Sequence, residues 1–339
     1  MIGSVTPSTN PSITVLGNGS CGMIAGNAMV FNGHPSAKEC TAWAVDIFNE
    51  AVVEVGGPDN LVCTVAEPTK EELNVMMSSP DVKLLVGTGG PGMVSTLMHS
   101  GKRVIAAGAG NPPAIVDESA DIPRAAKVLY DAIGYENDIM CITEKELFVV
   151  DSVFDSFIEE LNKCGAYQMN DIEAAKVAGV CLKKLSDTEY ASNTECVGKC
   201  ACEILKKAGI EIEGDPSMAF FIAENDNPMV YTEQLMPIIP VVRCKDFEEA
   251  VKRAVQAEGG RKHSAAIWSN NIYHVTEFGR LIDTSAYVQN GSTCAAFGDG
   301  GTGRDSATIA TPTGEGITNP MSFTRVRRFT MADGGNYLL

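Results

Sequence analysis

Positive charge is scarce in this chain. Of 339 residues, 26 are Lys or Arg against 43 Asp or Glu, for a formal net charge of −17. Such a surface is repelled by phosphate backbones and anionic headgroups, so neither nucleic acid nor a membrane surface is expected as a partner. Long apolar runs are missing too: nothing approaches the ~18–20 residues that a membrane span needs. The first 20 residues carry no basic stretch followed by an apolar one, so no secretion signal is read there. The four histidines (His34, His99, His263 and His274) do not cluster in sequence. A paired-His metal motif and a hydrolase serine elbow are both absent. The 11 cysteines are odd in number and lack the spacing of a disulfide framework, which predicts reduced thiols in a cytoplasmic protein.

What is present is a globular composition. Hydrophobic residues make up 45% and charged residues 20%, enough to bury cores for roughly two domains. Short apolar runs at 28–31, 61–65, 82–86 and 103–107 read as buried strands. Between them lie helical patterns: Pro35 opens one, and Ala42, Val45, Phe48, Val52 and Val55 recur at helical spacing before Gly56-Gly57. Thr69 and Glu72 form a capping-box pair ahead of the next. Strands alternating with helices, without two-residue hairpin turns, predict a parallel, doubly wound α/β sheet. Beyond Gly110 the pattern remains α/β, with strands at 115–116 and 147–150 and helices over 122–133, 151–164 and 171–185. The end of the chain is glycine-rich between Gly291 and Gly316. It then alternates apolar and polar residues over 323–330, which predicts an edge strand.

Two features carry chemistry. Gly87-Thr88-Gly89-Gly90-Pro91-Gly92 follows a strand and precedes a helix with the spacing G-x-G-x-x-G. Glycines there let a backbone approach a pyrophosphate at a helix N-terminus, although the same pattern also serves as a plain tight turn. Cys141 sits between the loop Gly134-Tyr135-Glu136-Asn137 and a predicted strand, where a rigid scaffold can present a reactive group. Most cysteines in such a chain are small buried hydrophobes. That is the reading for Cys196, Cys200 and Cys202, with Cys196 and Cys200 on one helix face and no metal implied.

These residues resemble the aldehyde dehydrogenase superfamily, and more narrowly its CoA-acylating members of the propionaldehyde and ethanolamine microcompartment type. The matching stretches run in family order: 5–11, 31–35, 87–92, Gly108-Ala109-Gly110-Asn111-Pro112-Pro113, the Cys141 segment, Glu233-Gln234-Leu235-Met236-Pro237 and 309–316. The resemblance implies a doubly wound cofactor domain over 1–109, an α/β catalytic domain over 110–309 and a C-terminal segment over 310–339 with an oligomerisation strand. It implies Cys141 as the nucleophile that attacks an aldehyde and carries the acyl group as a thioester. Oxyanion donors would come from the Cys141 or Ile142 main-chain N–H and from Asn10, with Thr9 as a rival because the Pro-x-Asn-x-Pro register is one residue off. Thr88, Gly89 and Gly90, with Gly108, would flank the cofactor. Phe31, Asn32, His34 and Pro35 would lie near its adenosine ribose, and Glu233 and Leu235 near its nicotinamide end.

Departures from the wider superfamily sharpen this. Hydrolytic members place a water-activating Glu at the position assigned to Ala107, and alanine cannot serve as a general base. The thioester then needs a thiol acceptor, coenzyme A. Pro35 replaces a ribose-binding carboxylate, which admits NADP beside NAD. The implied reaction takes a short-chain aldehyde (propanal or acetaldehyde), NAD and CoA to acyl-CoA and NADH. A homo-oligomer in the cytoplasm, inside a bacterial microcompartment and in contact with its shell, is the implied setting. The chain is short at its N-terminus relative to the family, which raises the alternative of a weakly active subunit serving binding or assembly.

Overall fold

A computed structural model describes residues 1–187, 189–304 and 306–332. Residues 333–339, the end of the expected C-terminal segment, lie outside the described residues.

The first sheet is built from β1 (Ile2–Val5), β2 (Met29–Asn32), β3 (Val62–Thr64), β4 (Leu84–Thr88) and β5 (Arg103–Ala107), joined by α1 (Pro11–Ile24), α2 (Lys38–Glu54), α3 (Lys70–Ser78) and α4 (Pro91–Met98). All its pairings are parallel, in the order β3-β2-β1-β4-β5. The sheet is covered on both faces. Val15, Phe31, Val45 and Phe48 pack on one side, and Leu73, Met76, Leu85 and Leu97 on the other. This double cover explains why the strands read as unbroken apolar runs. The order reverses between β1 and β4, and at such a switch point the loops after the two strands diverge and leave a crevice.

The second sheet follows at once. Its chain order is β6 (Pro113–Val116), α5 (Ile122–Gly134), β7 (Glu146–Val150), α6 (Asp151–Lys163), β8 (Tyr167–Gln168), α7 (Asp171–Cys181), β9 (Leu182–Lys184), β10 (Tyr190–Ser192), α8 (Ala201–Lys207), β11 (Ala219–Ile222), α9 (Pro228–Tyr231), β12 (Ile238–Cys244), α10 (Phe247–Glu258), β13 (Ser264–Trp268), α11 (Ile272–Ile282) and β14 (Ala286–Gln289). Seven of these strands form a sheet in the order β14-β13-β6-β7-β12-β11-β8. The strands β15 (Ile309–Ala310) and β16 (Gly316–Ile317) form a small antiparallel pair, and β15 packs beside β5. No helix among the described residues is long and apolar enough to cross a membrane.

Three expectations change. The helix expected over 171–185 stops at Cys181, because Leu182–Lys184 pairs antiparallel with Tyr190–Ser192. Cys196 and Cys200 do not share a helix face: Cys196 lies buried in a turn and Cys200 caps the start of α8. Residues 325–330 form no strand. Period-two alternation is only half of a strand; the other half is a neighbour to complete the ladder, and among the described residues none pairs with them.

Asn111 ties the junction of the two sheets to the second one. Its Nδ2 donates to Glu146 Oε1 (3.1 Å) and to the carbonyls of Val230 (3.0 Å) and Ala257 (3.1 Å), all in a fully buried setting. Asn111→Ala leaves buried acceptors unpaired and is expected to cost about 2–3 kcal/mol, measured as a lower urea midpoint with an unchanged slope.

Candidate active site

Cys141 is delivered by a reversal of the chain. Glu136, Asn137 and Asp138 all take left-handed backbone conformations, with φ of 51°, 52° and 55°. Three such residues in a row swing the loop after α5 toward the first sheet. Asn137 pins the swing by donating its side-chain N–H to the Gly198 carbonyl at 3.1 Å. The Gly198 N–H in turn donates to the Leu235 carbonyl at 2.9 Å. The nucleophile loop and the 233–237 segment are thereby bound to the same glycine.

The crevice at the β1/β4 switch point is a cleft of about 500 Å³. Cys141 lies on it, as do Thr9, Asn32, His34 and Pro35. The turn Thr88-Gly89-Gly90, together with Gly108, Glu233 and Leu235, completes the sequence-derived set on this cleft. Three expected residues do not line it. Phe31 is wholly buried against α1 and α2, since neighbouring residues on a strand face opposite ways and Asn32 takes the cleft side. Asn10 is the N-cap of α1 and accepts a hydrogen bond from Thr9 Oγ1 at 3.2 Å, so of the two rivals Thr9 faces the cleft. The Ile142 side chain is wholly buried, and its carbonyl accepts from Ser264 Oγ (3.2 Å) and Thr293 Oγ1 (2.5 Å). Ala107 is buried at the end of β5, where its carbonyl takes the Gly89 N–H. Neither it nor the buried Ala106 carries a carboxylate.

The floor of the cleft suits a dinucleotide. Thr88 Oγ1 and Asn32 Nδ2 are buried without any hydrogen-bond partner. The N-cap of α4, Gly90, has no capping side chain, and a Cβ there would meet nothing within 4 Å. Unmatched donors beside an uncapped helix start are what an anionic, hydroxyl-bearing ligand satisfies.

Electrostatics set the resting state of the nucleophile. Burial, then the Glu233 carboxylate, push the Cys141 thiol up to about 12, while Lys145 and its own main-chain N–H pull it down. Ligand-free, Cys141 is thus a thiol at neutral pH. Glu233 is raised by burial, and its Oε1 accepts the Gly110 N–H at 2.9 Å.

Two functional neighbours escaped the sequence reading. His263 is buried, with Nδ1 3.0 Å from Ser264 Oγ and Nε2 unpartnered. Burial, helped by Lys145, lowers it to about 4, so it is neutral. A Cβ on Gly110 would fall 2.4 Å from the Cys141 carbonyl oxygen and 3.0 Å from His263 Cγ. Lys145 is the second, buried under the Cys141 loop. A solitary histidine has no sequence signature. The Cys200 and Cys202 thiols, expected as core, are half-buried and 2.7 Å apart.

A match to the aldehyde dehydrogenase family covers residues 1–304. The chain belongs to that family. It is 41% identical to the acetylating acetaldehyde dehydrogenase EutE of Salmonella typhimurium over 98% of this chain and 72% of that protein. It is 40% identical to the CoA-propanoylating propanal dehydrogenase of Citrobacter freundii, with the same coverage. Among solved structures, a propionaldehyde dehydrogenase from the fucose-utilisation microcompartment of Clostridium phytofermentans superposes with a TM-score of 0.93 at 40% identity, over 97% of this chain and 75% of that one. The Rhodopseudomonas palustris propionaldehyde dehydrogenase with bound propionyl-CoA gives 0.91 at 37%, over 96% and 71%. A further structure of that enzyme holds CoA and an acylated cysteine.

Two outcomes check the site. Gly110→Ala is expected to abolish function or folding, because the new methyl overlaps a backbone carbonyl; activity and a thermal melt measured together decide which. Alkylation of Cys141 in the ligand-free protein is expected to rise about tenfold per pH unit between pH 7 and 9, with no plateau, since the thiolate is the reacting form. Peptide mapping of the iodoacetamide adduct reads the rate.

Proposed function

We propose that this cleft is the active site of a CoA-acylating aldehyde dehydrogenase in which Cys141 is the nucleophile. The substrate is a short-chain aldehyde, propanal or acetaldehyde, oxidised with NAD and CoA to acyl-CoA and NADH. The observation that carries this is the meeting of Cys141, the glycine turn 88–90 and Glu233 on one cleft, in a chain whose acylating relatives match it over nearly its whole length.

The Cys141 thiol gives up its proton to water; the resulting thiolate sulfur adds to the aldehyde carbon, and the carbonyl oxygen takes up the negative charge. The Cys141 N–H is the donor assigned to that oxygen; the one Thr9 hydroxyl proton, beside it on the cleft, is already given to Asn10 Oδ1. When bound, NAD supplies the hydride acceptor. Thr88, Gly89 and Gly90 hold the pyrophosphate; Asn32, His34 and Pro35 flank the adenosine side; Glu233 and Leu235 bracket the nicotinamide end. Two-electron oxidation leaves an acyl thioester on Cys141.

Release is decided by what the cleft lacks a use for. Among the described residues lining it, Glu233 is the one carboxylate, and it is engaged by the Gly110 N–H. Water therefore has no dedicated base, whereas the thiol of CoA is itself a strong nucleophile. A thiol ionises near neutral pH far more readily than water does, so CoA gives its proton to solvent and needs no such base. Attack by the CoA sulfur on the thioester carbon expels Cys141, ready for another cycle. Pro35 offers no charge against a 2′-phosphate, so NADP is accepted beside NAD.

The setting follows from the same reading. Residues 325–330 form no strand and pair with none of the described residues, and Val326 is fully exposed, which fits a segment completed by another subunit of a homo-oligomer. The microcompartment origin of a close structural relative supports the same location here.

The decisive assay follows NADH absorbance with propanal or acetaldehyde, with and without CoA. Expected are CoA-dependent turnover, acyl-CoA as product, and loss to background in Cys141→Ala. Equal NADH formation without CoA, with free acid as product, would establish water as the acceptor and overturn the reading.

A further inference from the structure

The loop that carries Cys141 rests on a sealed cation. Lys145, Asp138, Thr143, Glu144 and Glu146 are all without solvent exposure. The Lys145 ammonium donates to the carbonyls of Asp138 and Met140, each at 2.8 Å, and to Thr143 Oγ1 at 2.9 Å, and it pairs with Asp138 Oδ1 at 2.9 Å. Met140 is the residue before the nucleophile, and Asp138 is the last of the left-handed run that brings the loop to the cleft. One side chain thus holds the backbone at the end of the reversal and just before the nucleophile. A hydrophobic plug of the same size would leave those carbonyls unpaired, so neutral packing does not account for the group.

We propose that Lys145 is the positioning residue of the nucleophile: its ammonium clamps the backbone beneath Cys141 and supplies the fixed positive charge that favours the ionised sulfur. The proposal rests on Cys141 being the reacting thiol.

The charges around it make the sign testable. Cys141 is faced by Glu233, which disfavours its thiolate, and by Lys145, which favours it. Lys145 also acts on Asp138, Glu144 and Glu146 from its own segment, on Glu233 from the connection before β12, and on His263 at the start of β13. Arg261 and Glu258 add opposed influences on Glu146. Burial holds Asp138 up at about 7, so at pH 8 its carboxylate offsets much of the Lys145 charge.

The experiment measures iodoacetamide alkylation of Cys141 at pH 8 in the full, ligand-free chain, mapped by peptide mass spectrometry. Lys145→Met is expected to slow it about tenfold or more, whereas Lys145→Arg, which keeps the charge, stays within about threefold of wild type. Asp138→Asn is expected to speed it, because the amide oxygen still accepts from Lys145 and Thr143 while the opposing charge is gone. A purely structural clamp would make Lys145→Met and Asp138→Asn slow together. A wild-type rate in Lys145→Met, or an unchanged or slower rate in Asp138→Asn, overturns the proposal. If Lys145→Met does not fold, as a thermal melt reports, Lys145→Arg and Asp138→Asn decide it alone. Cys141→Ala separates the two readings: NADH formation surviving in that variant removes the nucleophile itself. A silent Cys141→Ala beside normal alkylation in Lys145→Met removes only the role of Lys145.

Discussion

Everything in the site converges on a place with no room for a side chain. Gly110 joins the two sheets, and its Cα lies against the carbonyl of Cys141 and the ring of His263 while its N–H holds Glu233. Four segments remote in sequence are brought into register by that contact. The first sheet supplies the cleft through its change of strand order, and the second supplies the sulfur through the loop after α5. Neither sheet alone makes a site, and the geometry between them is set by how closely the segment connecting β5 to β6 can approach the nucleophile.

The chemistry near the sulfur is governed by scarcity of charge. Glu144, Glu146 and Glu233 are held toward their neutral forms by burial. His263 is held neutral for the same reason. Against this background a lone buried ammonium has leverage that it would not have in water, because little dielectric screening separates it from its neighbours. Burial and the Glu233 carboxylate outweigh it and keep the resting thiol quiet, which suits an enzyme whose substrates are electrophiles: the sulfur is not spent on stray reagents before the cleft is filled.

Much of the architecture was readable because it is written locally. Strands covered on both faces are apolar at every position, and the β5 boundaries at Arg103 and Ala107 fall where the apolar run ends. The glycine turn after β4 and the cysteine in its loop are likewise local, and the cleft includes both. What the sequence could not reveal depends on partners far along the chain. Phe31 and Asn32 are neighbours, yet only the pleat decides which one faces the cleft. Thr9 and Asn10 differ by one position, and only the fold places Thr9 on the cleft. Leu182–Lys184 looks helical until Tyr190–Ser192 claims it. His263 and Lys145 gain their roles from burial, a property of the whole fold. The alternation over 323–330 was visible, but a ladder needs a second strand, and these residues find none among the described residues.

The unmatched Thr88 hydroxyl and Asn32 amide have a consequence for the life of the protein. Each is dehydrated and idle in the ligand-free molecule, an enthalpic loss that folding must absorb. A nucleotide that engages them returns that loss to the native state and not to the unfolded chain. A ligand that engages both atoms would thus hold the native fold together as well as take part in its chemistry.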